Sequence, residues 1–401
     1  MSLFTPDQLE KYADVLLWAL RTSRGKALTS SESVLVNFDR QAHGLAEVLH
    51  TKLLQAGLNP FLRILPTPRM ERALYSEGRF NQIRFIPPGE EEMLRGIGGA
   101  IHLLAPESLT HLADVDPDDL SLRQLSRKPL RDLLDRREQA GAFGWTLGIH
   151  PTEALAAQAG MPVEEYAAEV AAACLLNLGQ PEKDWALIHK QTAEIRAWLD
   201  GMGISTLRVE SERCDLEMGV GDNRRWLGLT GHNVPSFEIY TSPDCRTTRG
   251  VYFADQPSFR QGNIVQGVRL EFKRGNLVGL SAERGEAFAI RQTSMDPGAK
   301  RLGEFSLTDA RFSRIKRFMA HTLFDENFGG EQGNCHIALG MAYPDTFDGE
   351  PAILNSDLKK ALGFNSSALH WDLVNTEAKI VTAHLAGGGS KVIYENGCFT
   401  L

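Results

Sequence analysis

The chain opens on an amphipathic pattern. Thr5-Pro6-Asp7-Gln8 joins an N-cap residue, a proline at the first helical position and a glutamine three residues after the cap, so a helix is expected to follow. Leu9, Tyr12, Leu16 and Leu20 then recur at intervals of 3, 4 and 4 and fall on one helical face that needs a partner layer. Next come a short apolar run at Val34 to Phe38, a helical pattern from His43 to Leu54, and a second run at Phe61 to Leu65 behind Asn59-Pro60. That succession is a β-α-β unit, which implies parallel strands. Further strands are expected at Ala100 to Leu104 and Phe143 to Ile149, and helices at Arg69 to Ser76 and Leu130 to Gln139. The N-terminal half reads as a layered α/β domain.

The pattern changes past an alanine-rich helical stretch from Pro162 to Leu178. Gly179-Gln180-Pro181-Glu182 is a natural boundary before a long helix from Trp185 to Leu199, so the expected domains are residues 1–182 and 183–401. Beyond it strand patterns dominate: Thr206 to Glu210, Asp215 to Val220, Val268 to Lys273, Leu277 to Ala282 and Lys391 to Leu401. Arg274-Gly275-Asn276 and Asn396-Gly397 supply the turn chemistry of antiparallel hairpins. With helices expected at Pro297 to Leu302 and Arg314 to Leu323, the second domain reads as mostly antiparallel α+β.

Composition sets limits on this picture. Hydrophobic residues make up 42% and charged residues 23% of 401, ordinary values for a chain that folds throughout. Acidic residues outnumber basic ones, 51 to 43, for a net charge of −8, so nucleic acid is not an expected partner. No apolar run approaches the roughly 20 residues that span a bilayer. The first ten residues also lack a basic stretch leading into an apolar core, so a cytoplasmic location is expected, with no membrane partner. Cys174, Cys214, Cys245, Cys335 and Cys398 are scattered and never form C-x-x-C, which argues for reduced packing residues. An α/β domain invites a nucleotide, but Asp39 to Gly44 after the first strand lacks clustered glycines. Gly96-Ile97-Gly98-Gly99 precedes a strand and reads as a turn.

Candidate chemistry lies in the second half. In His370-Trp371-Asp372 the alternation of a strand would turn His370 and Asp372 to one side and Leu369, Trp371 and Leu373 to the other. An imidazole and a carboxylate on one face are half of a metal site, or simply a solvated face. His336 follows a loop rich in glycine and acids and suits a ligand or a buried hydrogen-bonding residue. Glu238, between Phe237 and Ile239, and Glu304, in Leu302-Gly303-Glu304-Phe305, are lone carboxylates in apolar stretches, where a solvated strand face is the plain alternative.

The stretches GHNVPSFEIYTSPD, RLGEFSL, HTLFDEN with CHIALGMAY, and HWDLV, in that order, resemble the aminopeptidase T family of metallopeptidases, also called aminopeptidase S. Gly144-Trp145 through His150-Pro151-Thr152 to Met161 is similar to the family as well, so the resemblance covers essentially the whole chain. It implies that Glu238, Glu304, His336, His370 and Asp372 bind two divalent cations, with Tyr343 beside them. Phe328 to Asn334 departs from the family in being a few residues longer. The resemblance further implies a homodimer and short peptide substrates.

Three carboxylates and two imidazoles suit zinc, cobalt or manganese better than a thiolate-held metal. Five ligands for two cations imply a bridging carboxylate and open positions for water and substrate. The expected chemistry is attack of an activated water on the first peptide bond, with Tyr343 donating toward the oxyanion. Glu304 is a metal ligand or the general base, and Glu326 is a second base candidate. Two other readings stand beside this one. Glu238 and Glu304 as the acid and base of a glycosidase would leave both histidines without a task. A catalytically inactive, metal-binding relative is the non-enzymatic alternative.

Overall fold

The computed structural model describes residues 3–260, 263–350 and 353–401. It divides into two compact units, Met1–Trp185 with Thr230–Pro235, and Ala186–Leu229 with Ser236–Leu401.

The first unit is built on a parallel sheet of five strands in the order Asn59–Ile64, Ser33–Phe38, Ile97–Leu104, Gly144–Ile149 and Asn233–Val234. Its opening helix, Pro6–Ser23, carries the reciprocal Thr5–Gln8 cap and buries Tyr12, Leu16 and Leu20. The Tyr12 hydroxyl donates to the Ile149 carbonyl at 3.1 Å, and a Cβ at Gly148 would collide with the Tyr12 ring, so helix and strand meet where glycine allows it. On the sheet's other face Leu35, Ala100 and Phe143 pack with Leu94, Leu130 and Leu133 from the helices Glu90–Gly96 and Pro117–Gln139. This α/β half agrees with the sequence reading. The fifth strand, returned to this unit from residues 233–234, has too short a pattern to be read locally.

The second unit contains two antiparallel sheets. Nine strands form the larger one, including the hairpin Asn263–Lys273 with Asn276–Arg284 and the terminal hairpin Ser390–Glu395 with Cys398–Phe399. Both hairpin turns use two successive left-handed residues, Arg274-Gly275 and Asn396-Gly397, as their sequences led one to expect. The smaller sheet orders its strands His370–Asn375, Asn334–Gly340, Leu302–Thr308, Glu238–Thr241 and Leu227–Gly228. Phe305, Leu307, Ile337, Leu339, Trp371 and Leu373 leave one face of it for a core shared with Leu207, Leu216, Val268, Leu270 and Val381 of the larger sheet.

Three expected helices differ. Pro297–Lys300 is a single 3-10 turn, and Leu302 already begins a strand. The alanine-rich helix runs only over Val163–Ala173. The expected helix from Arg314 to Leu323 is irregular except for Thr322–Asp325. Ile315, Met319 and Leu323 are buried at helical spacing, yet tertiary partners take the backbone groups that a helix would use. Asp325 accepts from the Met319 and His321 amides, and the Ile315 carbonyl accepts from Gly329. Among the described residues no helix is long and apolar enough to cross a membrane.

Candidate metal centre

The smaller sheet of the second unit gathers the candidate side chains by register alone. Ser306 pairs with both Tyr240 and His336, Thr308 with Glu238, Ala338 with Glu304 and Asp372, and Gly340 with His370. Residues opposite one another across antiparallel strands share a face, as do alternate residues along a strand. All five predicted ligands therefore rise from the face opposite the apolar core. Ser306, Ala338 and Gly340 lie between them, and these small residues keep the middle of the face open. Gly340 is left-handed, with φ of 104°, and a Cβ there would strike the Leu369 carbonyl just before His370.

The five groups converge. His336 Nε2 lies 3.2 Å from Glu304 Oε1 and 3.3 Å from Glu238 Oε2. His370 Nε2 lies 3.5 Å from Glu304 Oε2 and 3.3 Å from Asp372 Oδ1. Two groups of potential ligand atoms result, Glu238 with Glu304 and His336, and Glu304 with His370 and Asp372, the atoms of each within 4.8 Å of one another. Glu304 belongs to both and turns a different oxygen to each.

The surroundings fix the orientation of His370. Its Nδ1 stands 2.9 Å from the Met341 carbonyl, which can only accept, so Nδ1 carries a proton there and Nε2 is the ring nitrogen turned toward the carboxylates. Arg260 Nη1 donates to the His370 carbonyl at 2.9 Å, which fixes the strand from behind. His336 is buried with Nε2 toward Glu238 and Glu304, while its Nδ1 meets no hydrogen-bond partner among the described residues.

Without a cation, His336, His370, Glu304 and Glu326 hold protons more tightly than usual. Burial alone would lower the His336 imidazolium, but Glu238 and Glu304 against Nε2 push it well up. His370 is raised to about 9, because Asp372 and Glu304 outweigh its burial. Burial raises Glu304, with the neighbouring Glu238 adding to it and His336 opposing. Glu326, 9% exposed, is pushed well above the carboxylate range by burial and then by the Glu238 and Asp372 carboxylates. Asp372 is held low, to about 2, by His370 against the effect of burial. Buried carboxylates balanced by protonated imidazoles are also a set that divalent cations would satisfy, and oxygen with imidazole nitrogen is the donor chemistry they favour.

Tyr343 follows the His336 strand, its amide donating to Ser242 Oγ at 2.9 Å and its ring 4.8 Å from that of His370. Tyr240, not anticipated as part of the site, stands on the same face two residues after Glu238, with its ring 5.6 Å from Tyr343. Period-two alternation from Glu238 would have found it. Burial followed by the nearby carboxylates raises both phenols well above their usual range, so both remain protonated donors. Arg260 and the Met341 carbonyl were beyond sequence reasoning: the first carries no local signal, and the second is a backbone atom.

The match to known proteins falls over this whole arrangement and is a match to metallopeptidases. The family is the one described as thermophilic metalloprotease (M29), matched over residues 5–399, and the chain belongs to it. This bears out the resemblance carried by the motifs around the five side chains. Aminopeptidase T of Thermus thermophilus is 29% identical over 245 residues, 57% of this chain and 58% of that protein, so the aligned stretch falls short of the relative's full length. Aminopeptidase PepS of Streptococcus thermophilus is 24% identical over 98% of this chain and 97% of its own. Wild-type AmpT from Thermus thermophilus shares the fold, with a TM-score of 0.79 at 23% identity over 98% of this chain and 99% of that one.

Proposed function

We propose that the protein is an aminopeptidase that removes N-terminal residues from short peptides at a dinuclear centre formed by Glu238, Glu304, His336, His370 and Asp372. The observation that carries this reading is the double engagement of Glu304, whose two oxygens face two different imidazoles. One carboxylate common to two three-residue clusters is the arrangement a pair of cations requires when five side chains must serve both. Zinc, cobalt and manganese fit the donor set. When bound, such cations supply Lewis acidity, acidifying water and polarising a carbonyl oxygen.

The chain's own groups then have separable tasks. Glu304, with both oxygens committed, is the shared ligand. Glu326, buried beside Glu238 and Asp372, which raise its proton affinity, would accept the water proton from its ionised form. Tyr343 presents a neutral phenol beside His370 and donates to the oxyanion as it develops. The catalytic apparatus belongs to the C-terminal domain. A cytoplasmic enzyme acting as a homodimer completes the reading.

Cation affinity is expected to rise with pH. An imidazolium cannot ligate, and both histidines hold their protons above the ordinary range, His370 up to about 9. Each cation therefore displaces protons, and affinity should climb steadily from pH 6 toward pH 9. Calorimetric titration in buffers of different ionisation enthalpy measures both the affinity and the protons released, and a flat profile would refute this account of the site.

The function itself is tested by incubating metal-stripped protein with leucine or phenylalanine anilides and a panel of dipeptides, with and without cobalt, zinc or manganese. Release of free amino acid only with added cation supports the proposal. Two bound cations without release from any substrate would favour an inactive, metal-binding relative, and metal-independent cleavage of glycosides would replace the peptidase reading.

A further inference from the structure

The turn from Asp325 to Phe328 ties together three strand ends on the Glu238 side of the site. Thr308 Oγ1 donates to the Glu326 carbonyl at 3.3 Å, and Asn334 Nδ2 donates to the carbonyls of Glu326 at 3.1 Å and Phe328 at 2.6 Å. The third tie is Asn327. Its Oδ1 accepts from the backbone amides of Phe237 at 2.5 Å and Glu238 at 3.1 Å, and its Nδ2 donates to the Leu323 carbonyl at 3.0 Å. Its own carbonyl accepts from Ser313 Oγ, and the side chain is fully buried.

Glu238 needs this support. It is the first residue of a strand of only four, where backbone pairing is least cooperative. Among the described residues its carboxylate has a 3.5 Å contact from Ser306 Oγ and the 3.3 Å approach to His336. In the second cluster His370 is held differently, by the Met341 carbonyl on its Nδ1 and by Arg260 on its own carbonyl, neither of which involves the 325–328 turn, although Glu326 of that turn lies against Asp372.

We infer that Asn327 is a positioning residue for one of two cation subsites: by fixing the backbone at Phe237 and Glu238 it sets the Glu238, Glu304 and His336 cluster and leaves the Glu304, His370 and Asp372 cluster independent. The inference rests on the two-cation reading above. It makes the two subsites separable by a residue that touches neither cation and no substrate. Losing the acceptor removes the Asn327 hydrogen bonds to the Phe237 and Glu238 amides and lets the Glu238 end of the strand move.

The test is a cobalt titration of metal-stripped protein followed by visible absorption and calorimetry. In Asn327→Ala one of the two binding steps should weaken about 10- to 100-fold, the loss typical of groups that orient a ligand, while the other stays within about threefold. Asn327→Asp keeps the acceptor oxygen but loses the Nδ2 donation to the Leu323 carbonyl, and should weaken the affected step less than Asn327→Ala does. Equal weakening of both steps, no weakening in a folded alanine variant, or an aspartate variant as defective as the alanine one would overturn the inference. A variant-free measurement covers failure of Asn327→Ala to fold. In the wild-type protein, hydrogen exchange at the Phe237 and Glu238 amides should slow as one cation step fills and stay unchanged as the other does. Equal slowing at both steps, or at neither, contradicts the proposal. A wild-type titration with fewer than two steps refutes the dinuclear reading itself, and this inference with it.

Discussion

Glu304→Gln is expected to lower cation binding at both subsites and to reduce peptide hydrolysis by about a thousandfold or more. Glutamine keeps the volume of a side chain that is 3% exposed and sits in a fully buried strand, so the fold should survive. What it cannot keep is two equivalent anionic oxygens. Glu304 Oε1 faces His336 and Oε2 faces His370, and a carboxamide offers only one of those positions a lone pair, and no charge. Lewis-acid assistance is worth several kcal/mol, and each 1.4 kcal/mol is a factor of ten, which sets the scale of the loss. His370→Ala is the informative contrast, because it removes a ligand from one cluster only. Metal analysis of the purified variants measures the difference: less than one cation per chain for Glu304→Gln and close to one for His370→Ala. Retention of two cations by Glu304→Gln would remove its role as the shared ligand.

Tyr343→Phe should act on turnover and leave metal content alone. The phenol stands beside His370 and is kept protonated by burial and by the Glu304 and Asp372 carboxylates, so it can donate but not ligate as phenolate. Removing one donor aimed at a developing oxyanion costs about 100- to 1,000-fold in kcat. KM should change little, since the donation strengthens only as charge develops. The measurement is steady-state kinetics on a leucine anilide with parallel cobalt titration. Unchanged kcat with both cations bound would take Tyr343 out of the reaction. Tyr240→Phe is the control, since its ring adjoins that of Tyr343 on the same face.

The shared face of the candidate residues was legible because strand alternation is a rigid rule. Phe237 and Ile239 are buried on either side of Glu238, and Trp371 is buried between His370 and Asp372. Those contrasts were written in the local pattern, and the resemblance of the surrounding motifs supplied the grouping that no spacing could. What alternation cannot give is register between strands remote in sequence. That Ser306 stands opposite both Tyr240 and His336, which brings Glu238 and Glu304 to one imidazole, follows only from the assembled sheet. The irregular course of Arg314 to His321 was hidden for a related reason. Its buried residues keep helical spacing, and the deciding hydrogen bonds come from Asp325 and Gly329, farther along the chain. Glu326 was weighed as a base from its sequence neighbours alone, whereas its burial against the Glu238 and Asp372 carboxylates is a property of the fold.

The most direct measurement is anomalous diffraction from crystals of the zinc- or cobalt-loaded protein, recorded on both sides of the metal's absorption edge. The account predicts two peaks on either side of the Glu304 carboxylate, roughly 3.5–4 Å apart, one contacted by Glu238 and His336 and the other by His370 and Asp372. A single peak, or two peaks that do not share Glu304, would contradict it.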